Sequence, residues 1–244
     1  MVNNTRGLIR KKPSQPFPDI IQVNEYYNII TFIICNAPFY TRRDLVVEVF
    51  EAIQTRRSNG LVTEQDVSNE VIEKVLKAGT WAPSHFRTEP WRFFVLMGEG
   101  RTRLGKVLAE IAELEMDDPK SDSNQKKLQK ILDKPFRAPV IVAVAVEPNV
   151  PSDRVIIQEE YGAVYAAIQN MLLAAHALGV AGYWRTGKPT YHPLMKKLFG
   201  LSEKGEVLGF LYFGYPKRHL PGGKRKTVQE VTKWITSDDD YDAV

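Results

Sequence analysis

The sequence predicts a globular fold that combines α-helices and β-strands, because two kinds of apolar pattern alternate along it. Unbroken runs of β-branched and other apolar residues are typical of buried strands, and the chain has three, at Trp91 to Met97, Pro139 to Val146 and Val207 to Tyr215. Apolar residues at helical spacing lie between these runs. With 244 residues, 43% of them hydrophobic, the chain can bury a substantial core.

The first strand is preceded by two predicted helices and followed by a third. Asp44 is the expected N-cap of a helix that carries an apolar stripe and ends near Thr55. Ser68 is the expected start of the second helix, and Gly79 its C-terminal stop. The turn at Gly98 to Gly100 then leads into an amphipathic helix.

The second half of the chain is dominated by one long predicted helix, from Ile157 to Leu178. Its residues are apolar or small almost all round, so we expect this helix to be buried, with Gly179 ending it. A short strand is predicted at Tyr183 to Thr186, and a short helix from His192 to Phe199 leads to the last strand.

Charge and cysteine content exclude several classes of protein. Lysine and arginine number 33 and aspartate and glutamate 29, an excess too mild and too dispersed for a nucleic-acid-binding protein. The single cysteine, Cys35, excludes an intrachain disulfide framework and a multi-cysteine metal site, so we expect no bound metal and a reducing, cytoplasmic location. No stretch reaches the ~20 apolar residues of a membrane-spanning helix.

The pattern also divides the chain into a main domain and two ends. Residues 1–43 have no sustained period and are predicted to be an N-terminal extension, residues 44–236 form the predicted domain, and residues 237–244 form an acidic tail. Apolar residues at helical spacing before that tail predict a segment that docks on another surface: Val228, Val231 and Trp234.

Candidate site residues fall into three clusters, each at the end of a predicted element. Arg56, Arg57 and Ser58 follow the first helix; guanidinium groups bind anions bidentately and can stabilise negative charge on a bound ring. Taken alone, such a cluster is more often a solvated helix end, where cations meet the negative end of the helix dipole.

The second cluster follows the second helix. Pro83 and Ser84 turn the backbone so that its amides and hydroxyl can face a ligand, and Trp81 and His85 flank the turn. The third cluster is Trp184, Arg185 and Thr186, directly after a short strand. Taken alone, the second cluster is more simply interpreted as a turn with a half-exposed histidine. The third, taken alone, is as well explained by a packed tryptophan beside a surface arginine.

Together the clusters resemble the nitroreductase family of FMN flavoproteins, in its compact bacterial subgroup. The resemblance extends from about Leu45 to Trp234 and includes, in the family's order, the motifs Arg56-Arg57-Ser58, Ala82-Pro83-Ser84 followed by Pro90-Trp91, Gly182 to Gly187, and Leu208 to Gly214. It implies an α+β fold, with a central mixed sheet flanked by helices in α/β/α layers, and an interlocked homodimer with FMN at the interface.

The resemblance also implies roles for the clusters. Arg56, Arg57 and Ser58 would hold the phosphate, ribityl and pyrimidine parts of FMN, and Trp81 and His85 would reach the flavin from the partner subunit. The pocket would be completed by Trp184, Arg185 and Thr186, with Arg225 near the phosphate. The chain departs from the family pattern at three positions, where many members have Asn, Gln and Lys: Arg87, Glu89 and Gly223.

The implied activity is a two-step NAD(P)H oxidoreductase reaction, in which NADPH or NADH gives hydride to flavin N5 and a nitroaromatic or quinone acceptor is then reduced. The flavin carries this chemistry, so no catalytic protein side chain is expected. Two alternatives remain open: a flavin enzyme of different outcome, such as a dehalogenase or dehydrogenase, and a non-catalytic flavin-binding module.

Overall fold

The computed structural model of the chain describes residues 47–148 and 155–237. The predicted extension at 1–43, the predicted cap Asp44 and nearly all of the acidic tail lie outside these ranges. The first helix, α1 (Val49–Thr55), is capped by Glu48, whose carboxylate accepts hydrogen bonds from the amides of Phe50 and Glu51 at 2.8 and 3.3 Å. Glu48 itself has extended dihedral angles, so the described helix begins at Val49.

Helices and strands then alternate much as the apolar pattern predicts. In chain order they are α2 (Asn69–Thr80), β1 (Trp91–Met97), α3 (Arg101–Leu114), α4 (Asp122–Leu132), β2 (Val140–Val146), α5 (Ile157–Ala177), β3 (Ala181–Arg185), α6 (Pro193–Leu198), β4 (Glu206–Gly214) and α7 (Val228–Val231). Ser68 caps α2, as predicted, by accepting a hydrogen bond from the amide of Val71.

The four strands form one sheet in the order β1-β2-β4-β3, and each neighbouring pair is antiparallel. The parallel pairing found in the described residues is an isolated bridge between Ser58 and Gly182. The sheet is therefore mixed only through this bridge, which is less parallel character than the sequence predicted. The bridge places the first predicted site cluster against the edge of the sheet.

Helices cover both faces of the sheet. In β2 every residue is buried, and its side chains alternate between two cores: Val140, Val142, Val144 and Val146 face α2 and α5, whereas Ile141, Ala143 and Ala145 face α3 and α6. A strand covered on both faces needs apolar residues at every position, which is why this run lacks alternation. The α/β/α layering is confirmed.

Two local predictions are wrong. Strand β1 lies at the edge of the sheet and is only partly buried, with Val95 39% exposed, although its apolar run predicted burial on both faces. Gly79 does not stop α2, which ends at Thr80. A Cβ at position 79 would lie 2.9 Å from Cγ of Met171 and 3.1 Å from Cζ of Phe93, so this glycine permits close packing of α2 on α5.

Apolar side chains remain exposed at both ends of the described chain. On α1, Val49, Phe50 and Ile53 are 51–68% exposed, and at α7 and beyond, Val228, Val231 and Trp234 are 64–79% exposed. Both sets are the apolar stripes that the sequence predicted, without a covering partner in the described part of a single chain. No helix in that part is long and apolar enough to cross a bilayer.

Candidate functional site

Three arginines meet where α1 ends. Arg56 is the C-cap residue of α1, Arg57 follows it, and the chain after β4 brings Arg225 beside both. A Cβ at position 223 would lie 2.9 Å from Nη1 of Arg225 and 3.3 Å from Nε of Arg57, so Gly223 leaves room for the two side chains to converge. The structure thus joins Arg225 to the first predicted cluster.

Arg57 uses much of its guanidinium on backbone oxygens. Its Nη1 donates to the carbonyl oxygens of Gln54 and Arg56, both at 2.7 Å, and its Nε donates to the carbonyl of Pro221 at 3.2 Å. These bonds close the end of α1 and tie down the segment that carries Arg225. Arg57 therefore positions the cluster, and one of its nitrogens, Nη2, makes no hydrogen bond in the described residues.

Arg56 is the arginine with unsatisfied donor capacity. Its Nε is buried and has no hydrogen-bond partner in the described chain. Burial, and then the charges of Arg225 and Arg57, lower the pKa of Arg56. No ion pair links these arginines to a carboxylate within the described ranges. A cluster of like charges with an unpaired buried donor is stabilised by an anion.

A small cavity opens beside Arg56. It has a volume of about 130 Å³ and is lined by Arg56, Arg57, the edge of β3, and two histidines, His176 and His219. His176 lies in the last turn of α5 and is hydrogen-bonded to the hydroxyl of Thr55 at 2.8 Å. Burial, followed by the charges of Arg56 and Arg57, lowers the pKa of His176, so the ring is held neutral next to the arginines.

The segment after the arginines is fixed by Asn59, which sequence reasoning missed. Its side chain donates to the carbonyl of Arg218 and accepts from the amide of Leu61, both at 3.0 Å, and its amide donates to the carbonyl of Gly182 at 3.1 Å. Asn59 is buried, whereas Ser58 is exposed. The position directly after Arg-Arg-Ser was the available signal, since a buried Asn in a loop binds backbone groups.

The second predicted cluster lies in a strained loop. Trp81 is the C-cap of α2 and is 78% exposed, and Pro83 is also exposed. The hydroxyl of Ser84 accepts a hydrogen bond from the amide of Glu89, so it closes the loop. Three residues of this loop that are not glycine have φ between 46° and 54°: Phe86, Arg87 and Glu89. Such strain persists only where surrounding contacts enforce it.

Two adjacent carboxylates at the start of α5 supply those contacts. Glu159 pairs with Nδ1 of His85 at 2.5 Å. Glu160, which is 1% exposed, accepts a hydrogen bond from the buried hydroxyl of Thr88 at 2.5 Å, and its second oxygen has no partner in the described residues. Two neighbouring side chains of α5 therefore fix the loop that contains His85, one at His85 and one at Thr88.

The third predicted cluster is divided by the sheet. Trp184 lies opposite Leu211 and packs on the α5 side, with its ring centroid 5.8 Å from that of Tyr165. A Cβ on Gly209 would be 2.1 Å from Nε1 of Trp184, so the indole lies directly over that glycine. Arg185, the next residue, faces the opposite core, and exposed Thr186 follows the strand. Trp184 and Arg185 therefore lie on opposite faces of the sheet.

The clusters also lie at different positions along α5. His85 contacts Glu159 near the start of that helix, whereas Arg56 lies beside His176 near its end. At 1.5 Å per residue, these two positions on α5 are about 25 Å apart. The described part of one chain does not bring His85 to the arginine cluster. A larger cavity of about 670 Å³, lined by residues of α6 and the start of β4, contains none of the predicted site residues.

Comparison with known proteins identifies the family of this arrangement. The Nitroreductase family model matches residues 53–215. The Escherichia coli K12 protein named "Putative NAD(P)H nitroreductase YdjA" is 33% identical over 78% of this chain and 99% of its own length. A solved nitroreductase-like family protein from Bacillus cereus is 28% identical, with a TM-score of 0.66 over 79% of this chain and 98% of that protein. A nitroreductase with bound FMN from Bacteroides fragilis is 26% identical, with a TM-score of 0.54 over 78% and 100%.

The matched span begins in α1 and ends directly after β4, so it contains the whole sheet, the helices on both faces and all three predicted site clusters except Arg225. The extent of this match, and the identity to YdjA over most of both chains, show the relationship. The chain belongs to the nitroreductase family.

Proposed function

We propose that this protein is an FMN-dependent NAD(P)H oxidoreductase that reduces nitroaromatic or quinone-type acceptors. The names of two relatives support it: YdjA is named for NAD(P)H, and the Bacteroides fragilis structure contains FMN. The observation that carries the proposal is the meeting of Arg56, Arg57 and Arg225 without a carboxylate partner in the described residues, with Nε of Arg56 buried and unpaired.

The residues present fit the phosphate end of FMN. A phosphate dianion accepts several charge-assisted hydrogen bonds, which would satisfy Nε of Arg56 and reduce the repulsion between the guanidinium groups. Arg56 and Arg225 would bind the phosphate, and Arg57 would hold the segment that carries Arg225 in place. Ser58, on the bridge to Gly182, would direct the bound molecule along the edge of β3 towards Trp184.

The bound flavin would supply the redox chemistry, accepting hydride from NAD(P)H and passing it to the electron acceptor. The protein's part is to bind and orient. Trp184 packs over Gly209 and beside Tyr165, and so offers a rigid aromatic wall. The loop held by Glu159 and Glu160 keeps His85 in one orientation.

We further propose that the protein acts as a homodimer in which Trp81 and His85 of one subunit complete the site of the other. The separation of about 25 Å along α5 between His85 and the arginine cluster supports this arrangement. So do the exposed apolar side chains of α1, α7 and Trp81, which the described part of a single chain leaves uncovered. A cytoplasmic location and the absence of nucleic-acid or membrane partners remain predictions from composition.

An anaerobic absorbance experiment tests the function. The purified full-length protein should show a flavin spectrum that NADPH bleaches and that a quinone or nitroaromatic restores. A spectrum that bleaches but is restored only by a halogenated or saturated substrate would favour the dehalogenase or dehydrogenase alternative. Bound flavin that NADPH and NADH both fail to reduce would favour the binding module, and a colourless protein that does not take up added FMN would contradict the cofactor assignment.

A further inference from the structure

The larger cavity, of about 670 Å³, begins shortly after the third predicted cluster. That cluster ends at Thr186, and the chain then turns through Gly187 to Thr190 and Tyr191, which line the cavity. Helices α5 and α6 and the loop before β4 supply the rest of the lining. The volume is in the range of small-molecule sites.

Three lysines line the cavity without a carboxylate partner in the described residues: Lys196, Lys197 and Lys204. Lys196 donates a hydrogen bond to the carbonyl oxygen of Glu203 at 2.6 Å, whereas the ammonium groups of Lys197 and Lys204 make no hydrogen bond in that part of the chain. An ammonium group is a compact point charge that suits a phosphate. Two unpaired cations are therefore available to an anion in this cavity.

The two carboxylates that also line the cavity do not cancel this charge. Glu206 accepts a hydrogen bond from the hydroxyl of Tyr161, and burial, followed by this bond, raises the pKa of Tyr161. The Tyr161 hydroxyl therefore stays protonated and paired with Glu206. Glu203 is exposed to solvent. With three lysines against two carboxylates, the lining keeps a net positive charge.

Neutral donors and an aromatic ring complete the lining. Thr190 is 4% exposed, yet its hydroxyl makes no hydrogen bond in the described residues, and a ligand in the cavity would supply the partner that buried hydroxyls normally have. Nδ1 of His192 accepts a hydrogen bond from the amide of Leu194 at 3.2 Å, which leaves Nε2 as a donor. The ring of Tyr191, 47% exposed, offers an apolar face to a planar base.

The loop that carries Lys204 is held in place by the protein itself. Glu147, directly after β2, accepts hydrogen bonds from the hydroxyl and from the amide of Ser202, the latter at 3.0 Å. The hydroxyl of Ser202 in turn accepts a hydrogen bond from the amide of Lys204 at 3.2 Å. Because this side of the cavity is preformed, a ligand would lose less free energy in ordering it.

The cavity lies close to the place proposed for the flavin ring. The ring centroid of Tyr161 is 6.5 Å from that of Tyr165, which is 5.8 Å from that of Trp184. Two ring-to-ring steps therefore separate the cavity from Trp184. A dinucleotide can span this interval, with its nicotinamide at the flavin and its adenosine half in the cavity. NADPH differs from NADH only in a phosphate on the adenosine 2′ oxygen, a group that lysines can distinguish.

We propose that this cavity binds the 2′-phosphorylated adenosine half of NADPH, with Lys197 and Lys204 at the phosphate and Thr190 and Tyr191 at the nucleoside, and that it thereby favours NADPH over NADH. A phosphate gains charge-assisted hydrogen bonds from the two lysines, which the uncharged hydroxyl of NADH does not. The role of NADPH as electron donor rests on the proposed function, whereas the binding of a 2′-phosphorylated adenosine does not.

Calorimetric titration of the purified full-length protein with adenosine 2′,5′-bisphosphate and with 5′-AMP tests this site. We expect the wild type to bind the bisphosphate more tightly by about tenfold or more. In the double variant Lys197→Met and Lys204→Met, affinity for the bisphosphate should fall close to that for 5′-AMP. Lys126→Met is the matched control, because Lys126 is an exposed lysine of α4 outside this cavity.

Two further readouts separate the phosphate from the nucleoside. Thr190→Val removes the hydroxyl at nearly constant volume and should weaken the binding of both nucleotides several-fold, leaving their ratio unchanged. The double lysine variant should instead lower the ratio of kcat/KM for NADPH to that for NADH.

The proposal would be overturned by a wild type that binds neither nucleotide, by equal affinity for the two, or by a double lysine variant that binds the bisphosphate as well as the wild type does. An equal loss of affinity in Lys126→Met would also contradict it, because the attraction would then come from the overall charge. Lysine-dependent binding of the bisphosphate in a protein that contains no flavin would retain the nucleotide site and refute the proposed function. A flavin that NADPH reduces equally well in the wild type and the double variant, with unchanged bisphosphate binding, would do the reverse.

Discussion

Replacing Arg56 by methionine should weaken FMN binding and stabilise the protein without FMN. Arg56 is the cluster member with a buried, unpaired Nε, so it has most to gain from a phosphate. A hydrogen bond to a charged group contributes about 1.5–3 kcal/mol, and the loss of one such bond corresponds to roughly a 10- to 100-fold increase in Kd.

The stability change has the opposite sign. Burial and the neighbouring charges of Arg225 and Arg57 lower the pKa of Arg56, which means that the fold disfavours its charged form. An arginine stays charged at every accessible pH, so this cost is always present in the apo protein. Methionine keeps much of the side-chain volume and removes the charge, and the apo protein should therefore melt at a higher temperature.

Flavin fluorescence titration of the apo protein would give Kd, and thermal denaturation of the same sample would give Tm. Arg218→Met is the matched control, because Arg218 is an exposed arginine in the same region, and its bond to Asn59 uses its backbone carbonyl, which the substitution keeps. It should change Kd little. A lower Tm together with weaker FMN binding in Arg56→Met would show that Arg56 has a structural role. An unchanged Kd would refute the assignment of Arg56 to the FMN phosphate.

Further variants test the surroundings. Gly223→Ala should weaken FMN binding several-fold, since the new Cβ would lie 2.9 Å from Nη1 of Arg225 and displace that guanidinium group. Tm should change little, because the end of the arginine side chain can move away. Gly222→Ala is the control, since the nearest atom to its Cβ is 3.7 Å away. His176 has a lowered pKa, so apo stability should fall as pH drops below about 6.5, where the unfolded chain takes up the proton first; His176→Gln should flatten that part of a Tm-against-pH curve. Thr88→Val leaves a buried carboxylate without its partner and should lower the free energy of unfolding by about 1–3 kcal/mol in urea denaturation.

The sequence predicted the buried central strand correctly but did not predict which strand lies at the edge of the sheet. The run from Val140 to Val146 predicts a central strand because only full burial on both faces removes alternation. The run at Trp91 to Met97 has the same character but belongs to an edge strand, since apolar composition does not specify how many neighbours a strand has. Gly79 was misread for a similar reason: its neighbours Met171 and Phe93 come from distant parts of the chain.

The site shows the same division between local and long-range information. The adjacency of Arg56 to Arg57 is visible in the sequence, and the resemblance that adds Arg225 agrees with its place beside them in the structure. The orientation of Arg185 away from Trp184 follows from the alternation of side chains along β3, which the resemblance did not address.

The position of each cluster along α5 is the reason why the proposed site needs two subunits. Near its start, α5 contacts His85 through Glu159. Further along, Tyr165 contacts Trp184, and near the end of the helix His176 lies beside Arg56. Trp184 and Arg56 lie on the same side of the sheet and are joined by the edge of β3, so in the proposed function one chain would bind both the phosphate and the ring of FMN. His85 lies beside the start of α5, too far from Arg56 to reach a phosphate bound there. The next residue of its loop, Phe86, has an exposed ring that a second copy of the chain would cover. If the proposed dimer completes the site, dimer formation and site completion are one event, and dilution that separates the subunits should release the flavin in the same concentration range.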